Sequence, residues 1–574
     1  MRNRGQKQRM WQLVSLISVV GITAWGIVIL WFYFSRPNVI HVDSAIPLIS
    51  LAFALVLILP FNVFRIRWSY LASALPLVGL VILGIVRLLE ANQLALTVRT
   101  AVSIVMVLVA FVGCISSLLA FGGRGGKKWW KAIVSVVAIV AVLAVSFVLL
   151  ARNAGALQRL QATWTQNRIE KRLAALDSLD EKIHFLQKEG GLPTLSAGIV
   201  VGDELAWNRT YGEQAGANPT FNIGSITKPI VATAVMQLVE QNLLSLDADV
   251  SEYLPFTLRH PDAPGTPITI RMLLTHQSGL SHFTAQYASY TTGQPILEWA
   301  GDTFGQTIYG EITAFEPRPE LGDFLASCLL EDGDHYSDNV WSATPGQRYV
   351  YSTPGYDLLG FIVSQVTGME FEEYLRENLF AVLGMSSTGL AMDQAPERRA
   401  IPYDLESGIL YEARVRMPLY DRPIIGGGGI TSTVRDLSRF MIAHLHGGRV
   451  GGAQMLAEES VVAMRLLRVS STADIGMAGY GYGLNIMRDE PWEYYGHSYD
   501  FQGSIGHGGK DYGYMSRLFF VPSEKGGYGA IILTNRSDFL DSNITWFFAT
   551  MLRIENLLME EAASQHDELP DPTT

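Results

Sequence analysis

A chain of 574 residues with 43 Lys/Arg against 54 Asp/Glu is too long for one ordinary domain and carries a net charge of -11. The charge is uneven: residues 1–151 hold 13 Lys/Arg and 2 Asp/Glu, a net of +11, which leaves 30 and 52, a net of -22, for the 423 residues from 152 onward. So acidic a remainder argues against nucleic acid, whose phosphates demand a basic face, and it is ample to bury a core and hold a cleft.

The chain opens on five apolar runs, about 11–34, 45–61, 69–86, 100–121 and 132–151. Each approaches or exceeds the ~17–25 residues that a helix needs to span the hydrocarbon of a bilayer. No Asp, Glu, Lys, Arg or His lies inside them, as the cost of burying charge requires and as a transport pathway would not. Region 1–151 therefore predicts five transmembrane helices, with the lipid bilayer as a partner. The first run is too long, and too closely followed by others, to be a cleaved signal peptide. Basic residues set the orientation. Arg2, Arg4, Lys7 and Arg9, then Arg65 and Arg67, then Arg124, Lys127, Lys128 and Lys131 fall on one side, against Arg36, Arg87 and Arg99 on the other. The N-terminus is expected in the cytoplasm and everything from residue 152 at the extracytoplasmic face. Of the two cysteines, Cys114 lies in a span and Cys328 beyond them, so no disulfide can form within the external part.

Residues 152–190 read as a helical linker and domain entry. "GLPTLSAGIVVGDELAWNRTYGE" then predicts a β-hairpin, and a helix starts near Ser225. Residues 285–340 lack periodicity and predict an irregular insertion forming a cleft wall. "GITSTVRDLSRFMIAHLHGG" is a helix, capped by Ser432 or Thr433 and ended at Gly447 or Gly448. "SRLFFVPSEKGGYGAIILTNR" gives two strands around a Gly-rich turn, and "ITWFFATMLRIENLLMEEAA" a final helix. The main domain is placed at 191–562 and a disordered tail at 563–574. Helices flanking strands from both ends predict an α/β sandwich closed by its terminal helices.

"FNIGSITKPIVATAVMQLVE" places Ser225 and Lys228 three apart at a helix start, with Pro229 tolerated in the first turn. From 40 Ser and 10 Lys about 0.7 such matches arise by chance, and one is present, so spacing alone favours an N-cap serine. The context adds chemistry. Residues three apart share a helix face, so the amine reaches the hydroxyl. A helix N-terminus offers free N–H groups to a developing oxyanion, and a desolvated lysine can serve as a base.

At this point the chain resembles the penicillin-recognising serine hydrolases, in the branch around class C β-lactamases, D-stereospecific peptidases and related esterases. "FNIGSITKPIVATAVMQLVEQNLLSLDADVSEYLP", "ITIRMLLTHQSGL", "ATPGQRYVYSTPGYDLLGFIVSQVTG", "GGGGITSTVRDLSRF" and "IGHGGKDYGYMSRLFFVPSEKGGYGAIILTNR" follow that family's order and spacing over about residues 170–560. With the all-α membrane helices read from the apolar runs the chain is multi-domain, and the resemblance implies that they are followed by an α/β domain whose antiparallel sheet is flanked by helices and a helical subdomain. It implies Ser225 as the acylated nucleophile, Lys228 as its activator and Tyr351 as the proton shuttle. Thr353, His507, Gly508, Gly509 and Lys510 would bind substrate, the glycines by letting its backbone approach, with the N–H groups of Ser225 and Lys510 as oxyanion hole. Taken singly, Tyr351 reads as a packed aromatic, His507 as a strand-end histidine and the glycines at 426–429 as a turn.

Two positions depart from the family pattern. Thr353 stands where the second motif ends in Asn, offering one hydroxyl in place of an amide. His507 stands where the lactamases carry Lys, and a neutral imidazole anchors a carboxylate weakly. The expected function is a membrane-anchored serine hydrolase, working through an acyl-enzyme on an ester, amide or lactam. Esterase or D-peptidase action is expected ahead of efficient β-lactamase action. A weakly catalytic receptor for cell-wall or lactam ligands is the alternative that Thr353 keeps open. No His-Glu-x-x-His, Gly-x-Ser-x-Gly or phosphate loop occurs, and neither metal nor cofactor is expected. The substrate is a small molecule or peptide; the oligomeric state is not legible.

Overall fold

A computed structural model describes residues 39–41 and 167–570, apart from 283–319, 391–394, 408–411, 418, 420–425, 472–475, 495, 496, 502 and 538–544. The five apolar runs expected to cross a membrane lie outside these residues. Among the described residues no helix is long and apolar enough to do so. The chain splits into two compact units, one of Met1–Asn167 with Leu405–Arg416, the other of Arg168–Asp404 with Met417–Thr574. In the first, Val39–His41 pairs antiparallel with Glu412–Arg416. The second begins upstream of residue 191, because helix α1, Leu179–Glu189, buries Ile183 and Leu186 in its core.

The second unit is built on an eight-stranded sheet, antiparallel throughout. Its strands are β1 Thr194–Val201, β2 Glu204–Gly212, β3 Val469–Ser470, β4 Met477–Tyr480, β5 Asn485–Met487, β6 Ile505–Asp511, β7 Tyr514–Val521 and β8 Tyr528–Thr534, in the spatial order β3-β4-β5-β6-β7-β8-β1-β2. The hairpin read from "GLPTLSAGIVVGDELAWNRTYGE" is β1–β2, turning at Gly202 with φ +59. The strands around the Gly-rich turn are β7 and β8, joined through Gly526 and Gly527.

Side chains alternate across a strand, and here both faces are covered. Leu195, Ala197 and Ile199 of β1, Phe519 of β7 and Ile532 of β8 pack with Met551, Ile554 and Leu558. Those three lie on the terminal helix, Thr545–Asp567, which shares this face with α1. Val200, Leu518, Phe520, Ile531 and Leu533 face the other way, onto the helix Val434–Leu445 and the larger core. Each fully buried side chain of this kind contributes about 1.5–3 kcal/mol. The sandwich closed by terminal helices is what the sheet and its two helical layers form. Within the Val434–Leu445 helix, Thr433 is the cap, its Oγ1 accepting from Asp436 N at 3.2 Å.

Two boundaries differ from expectation. The terminal helix continues to Asp567, past residue 562, because burial does: Ala562 and His566 are still inside. Within 285–340, residues 285–319 lie outside the described residues, whereas Leu321–Leu329 forms a helix that buries Phe324, Leu325, Cys328 and Leu329. That helix is short and has no side-chain cap at Glu320, so the start signal that sequence reading relies on is missing.

Candidate active site

The serine turn is pinned before the helix begins. Phe221 and Asn222 pair with Ser432 and Thr431. The Asn222 Oδ1 accepts from Gly224 N at 2.8 Å, and its Nδ2 donates to Asp511 Oδ2 at 3.2 Å. Ser516 Oγ donates to the Ile223 carbonyl at 2.7 Å. Gly224 has φ +52, and a β-carbon there would lie 2.7 Å from Lys510 N, so both conformation and space demand glycine. A short 3-10 turn, Gly224–Ile226, then runs into the helix α2, Thr227–Glu240.

Ser225 is not the cap of α2: Ile226 holds that position and no side chain caps it. The serine hydroxyl is used elsewhere. Tyr351 Oη donates to Ser225 Oγ at 2.8 Å, and Lys228 Nζ donates to the same oxygen at 3.0 Å. α2 is buried on all sides from Thr227 to Leu238, and Lys228 is fully buried within it. Its amine also donates to Thr353 Oγ1 at 3.3 Å and to the Gly427 carbonyl at 2.9 Å. The Tyr351 ring lies under it, 4.9 Å from amine to centroid, a cation–π distance.

Tyr351 is held by a residue that sequence reading quoted but gave no role. The His276 carbonyl accepts from Val350 N at 2.7 Å and its Nδ1 accepts from Ser352 N at 3.1 Å, so one histidine brackets the tyrosine from both sides. His276 adopts φ +58, uncommon for a non-glycine residue, and is fully buried against the rings of Tyr351, Tyr356 and Tyr480. Burial holds its imidazole well below the usual range, reinforced by the positive charge of Lys228. The helix carrying Thr353, Thr353–Thr367, is capped by Ser352, whose Oγ accepts from Gly355 N at 3.1 Å. Thr353 Oγ1 also meets His282, with Oγ1 and Nδ1 3.1 Å apart.

The third motif lies on β6, alongside the serine turn. His507 is buried: its Nδ1 donates to the Gly508 carbonyl at 2.5 Å, leaving Nε2 to accept from Tyr480 Oη at 3.1 Å. Burial, and after it the charge of Lys228, pushes the ring down to about 3, so it is neutral at ordinary pH. Both ring nitrogens thus meet protein partners, at the position that the resemblance assigns to substrate binding. The glycines make room for the protein itself. A β-carbon on Gly509 would lie 2.0 Å from the Ile223 carbonyl oxygen, so its bareness admits the serine turn. Gly426 and Gly427 likewise make room for Tyr356 and Thr353, at 2.1 Å each, and Gly427 supplies its carbonyl to Lys228. Gly508 alone has space beside it, with its nearest neighbour Arg517 at 3.5 Å. Among the described residues no group of His, Cys, Asp and Glu could hold a metal ion.

The profile of the Beta-lactamase family matches residues 179–549. The chain belongs to the Beta-lactamase family. Penicillin-binding protein 4 of Amycolatopsis lactamdurans is 28% identical over 356 residues, covering 60% of this chain and 78% of that protein. The serine beta-lactamase-like protein LACTB, mitochondrial, of Homo sapiens is 25% identical over 323 residues, 48% of this chain and 58% of that one, so the likeness stops well short of its full length. Among solved structures, the octameric penicillin-binding protein homologue from Pyrococcus abyssi superposes with a TM-score of 0.50 at 25% identity, covering 66% of this chain and 77% of that chain. By family this Beta-lactamase relative is a serine hydrolase, and the matched span contains every residue of the site described above.

Proposed function

We propose that Ser225 is acylated by an ester, amide or lactam, with Lys228 and Tyr351 moving its protons, and that the acyl-enzyme is then hydrolysed. One observation carries this reading: Ser225 Oγ sits at hydrogen-bond distance from both the Lys228 amine and the Tyr351 hydroxyl. Ser225 N and Lys510 N are the donors assigned to the oxyanion, and the close fit of Gly224 against Lys510 supports that pairing. The Thr353 hydroxyl still takes a bond from Lys228, which supports reading the domain as catalytic ahead of a sensor.

An ester or a small D-amino-acid peptide fits better than a lactam substrate that must be held by its carboxylate. The support is the neutral, inward-turned His507, where a lactamase would offer a cation. The five apolar runs and their flanking charges support anchorage in the cytoplasmic membrane with the catalytic unit outside. The test is labelling of membranes with a fluorophosphonate probe, combined with hydrolysis of a nitrophenyl ester, a chromogenic cephalosporin and a D-Ala-D-Ala peptide by the full chain. Ser225-dependent labelling with ester turnover is expected. Labelling that survives Ser225→Ala sinks the assignment.

A further inference from the structure

Ser225 Oγ receives two hydrogen bonds, from Lys228 and from Tyr351, and while both partners donate neither can accept the hydroxyl proton. One of them must first give a proton away. Lys228 is buried, so its proton needs a hydrogen-bonded route out. Of the three acceptors described around its amine, Ser225 is the nucleophile and the Gly427 carbonyl has no hydrogen to pass on. The third, Thr353 Oγ1, is a hydroxyl with an imidazole nitrogen 3.1 Å beyond it. A hydroxyl that accepts from an amine can donate its own hydrogen onward when His282 Nδ1 is the unprotonated ring nitrogen, and that tautomer gives the chain a direction: Lys228 to Thr353 to His282.

We propose that Thr353 and His282 form the proton outlet of Lys228, an extension that rests on the reading of Ser225 as nucleophile. An N–H bond of the Lys228 ammonium breaks as an O–H bond forms at Thr353 Oγ1. The original Thr353 O–H breaks as an N–H bond forms at His282 Nδ1. The positive charge moves from Lys228 to His282, which is only half-buried and can release the proton to water. The neutral amine then takes the Ser225 proton as Oγ bonds to the acyl carbon. An asparagine at position 353 could orient the lysine, but its acceptor oxygen carries no hydrogen to hand on; a threonine oxygen both receives and gives. Among the described residues, titratable groups against His282 include Tyr351, whose ring is 5.3 Å away, His276, whose ring feels its charge, and Lys228 behind Thr353. Thr353 touches Lys228, and His282 acts through it.

The test uses the full chain and two readouts, the rate of fluorophosphonate labelling and the kcat and KM of a nitrophenyl ester. His282→Asn can keep a hydrogen bond to Thr353 but takes no proton; it is expected to lower labelling and kcat by about 100-fold, with KM within about twofold. Thr353→Val should lose at least as much, Thr353→Ser should recover most of that loss, and adding His282→Asn to Thr353→Val should cost nothing further. A wild-type rate in His282→Asn overturns the outlet, as do effects of His282→Asn and Thr353→Val that multiply. Should His282→Asn fold poorly in a thermal melt, the comparison of Thr353→Ser with Thr353→Val still decides, because equal rates in those two overturn it. If labelling disappears in Ser225→Ala while His282→Asn is unaffected, the outlet alone fails. If Ser225→Ala still labels, both readings fall.

Discussion

Two walls meet at Ser225, and they handle polar groups in opposite ways. On the helical wall, Lys228 and Tyr351 turn their polar atoms inward to one hydroxyl, and Thr353 holds the lysine from behind. On the strand wall, His507 turns away from it to bond Tyr480 and its own strand, and Gly509 yields its space to the Ile223 carbonyl. The first wall arranges protons; the second fixes where the serine stands. Under the proposed reading, a site residue on the strand wall acts by shape and by main-chain N–H groups, and its size is expected to matter more than its side-chain chemistry.

Variants can break or sharpen this contrast. The largest effect is expected at the nucleophile: Ser225→Ala should lower ester turnover by at least about 10³-fold, measured on folded protein. Tyr351→Phe keeps the ring against His276 and Lys228 but removes the 2.8 Å bond, so kcat should fall about 10²–10⁴-fold while the melting temperature stays near wild type. Gly509→Ala should behave differently. Its new methyl must displace the serine turn, costing about 1–3 kcal/mol in denaturant unfolding and dragging activity down with stability. An equal loss of activity with unchanged stability would place Gly509 on the substrate side after all.

The smallest effect is expected at His507, and it is a matter of pH. Its folded value is lowered to about 3 from 6.5, so between those limits the unfolded chain binds a proton that the folded chain does not. Stability therefore rises with pH through that window and falls on acidification, by up to about 1.4 kcal/mol per pH unit for one group. His507→Gln should flatten the dependence of stability on pH between about 4 and 6, whereas a charged, substrate-facing histidine would shift the ester pH–rate profile instead. His444, also pushed to about 3 by burial, continues to contribute in that variant.

Much of this arrangement was legible in the amino-acid order. Apolar runs set off by glycine mark β1, β7 and β8, because strands covered on both faces bury nearly every side chain. Ser225, Lys228 and Tyr351 were legible as a set and are brought together. What escaped has physical causes. The φ of His276 is imposed by tertiary packing, and no local propensity announces a left-handed histidine. His282 becomes interesting only when a residue 71 positions away presents a hydroxyl to it. Glycine is ambiguous by nature: at 426, 427 and 509 the bare α-carbon admits the protein's own backbone and side chains, and no sequence pattern tells that from room for a ligand.

The Ser516 bond to the Ile223 carbonyl joins positions 293 residues apart. Closing so long a loop makes it a late event in folding, since distant contacts wait on the local structure that brings them together. A chain emerging from the ribosome exposes Ser225 and Lys228 well before Asp511 and Ser516 exist to seat them. Until that last hairpin docks, Ser225 has neither its pinned turn nor Lys510 beside it. A fragment truncated before residue 505 is therefore expected to remain inert however well its helices form.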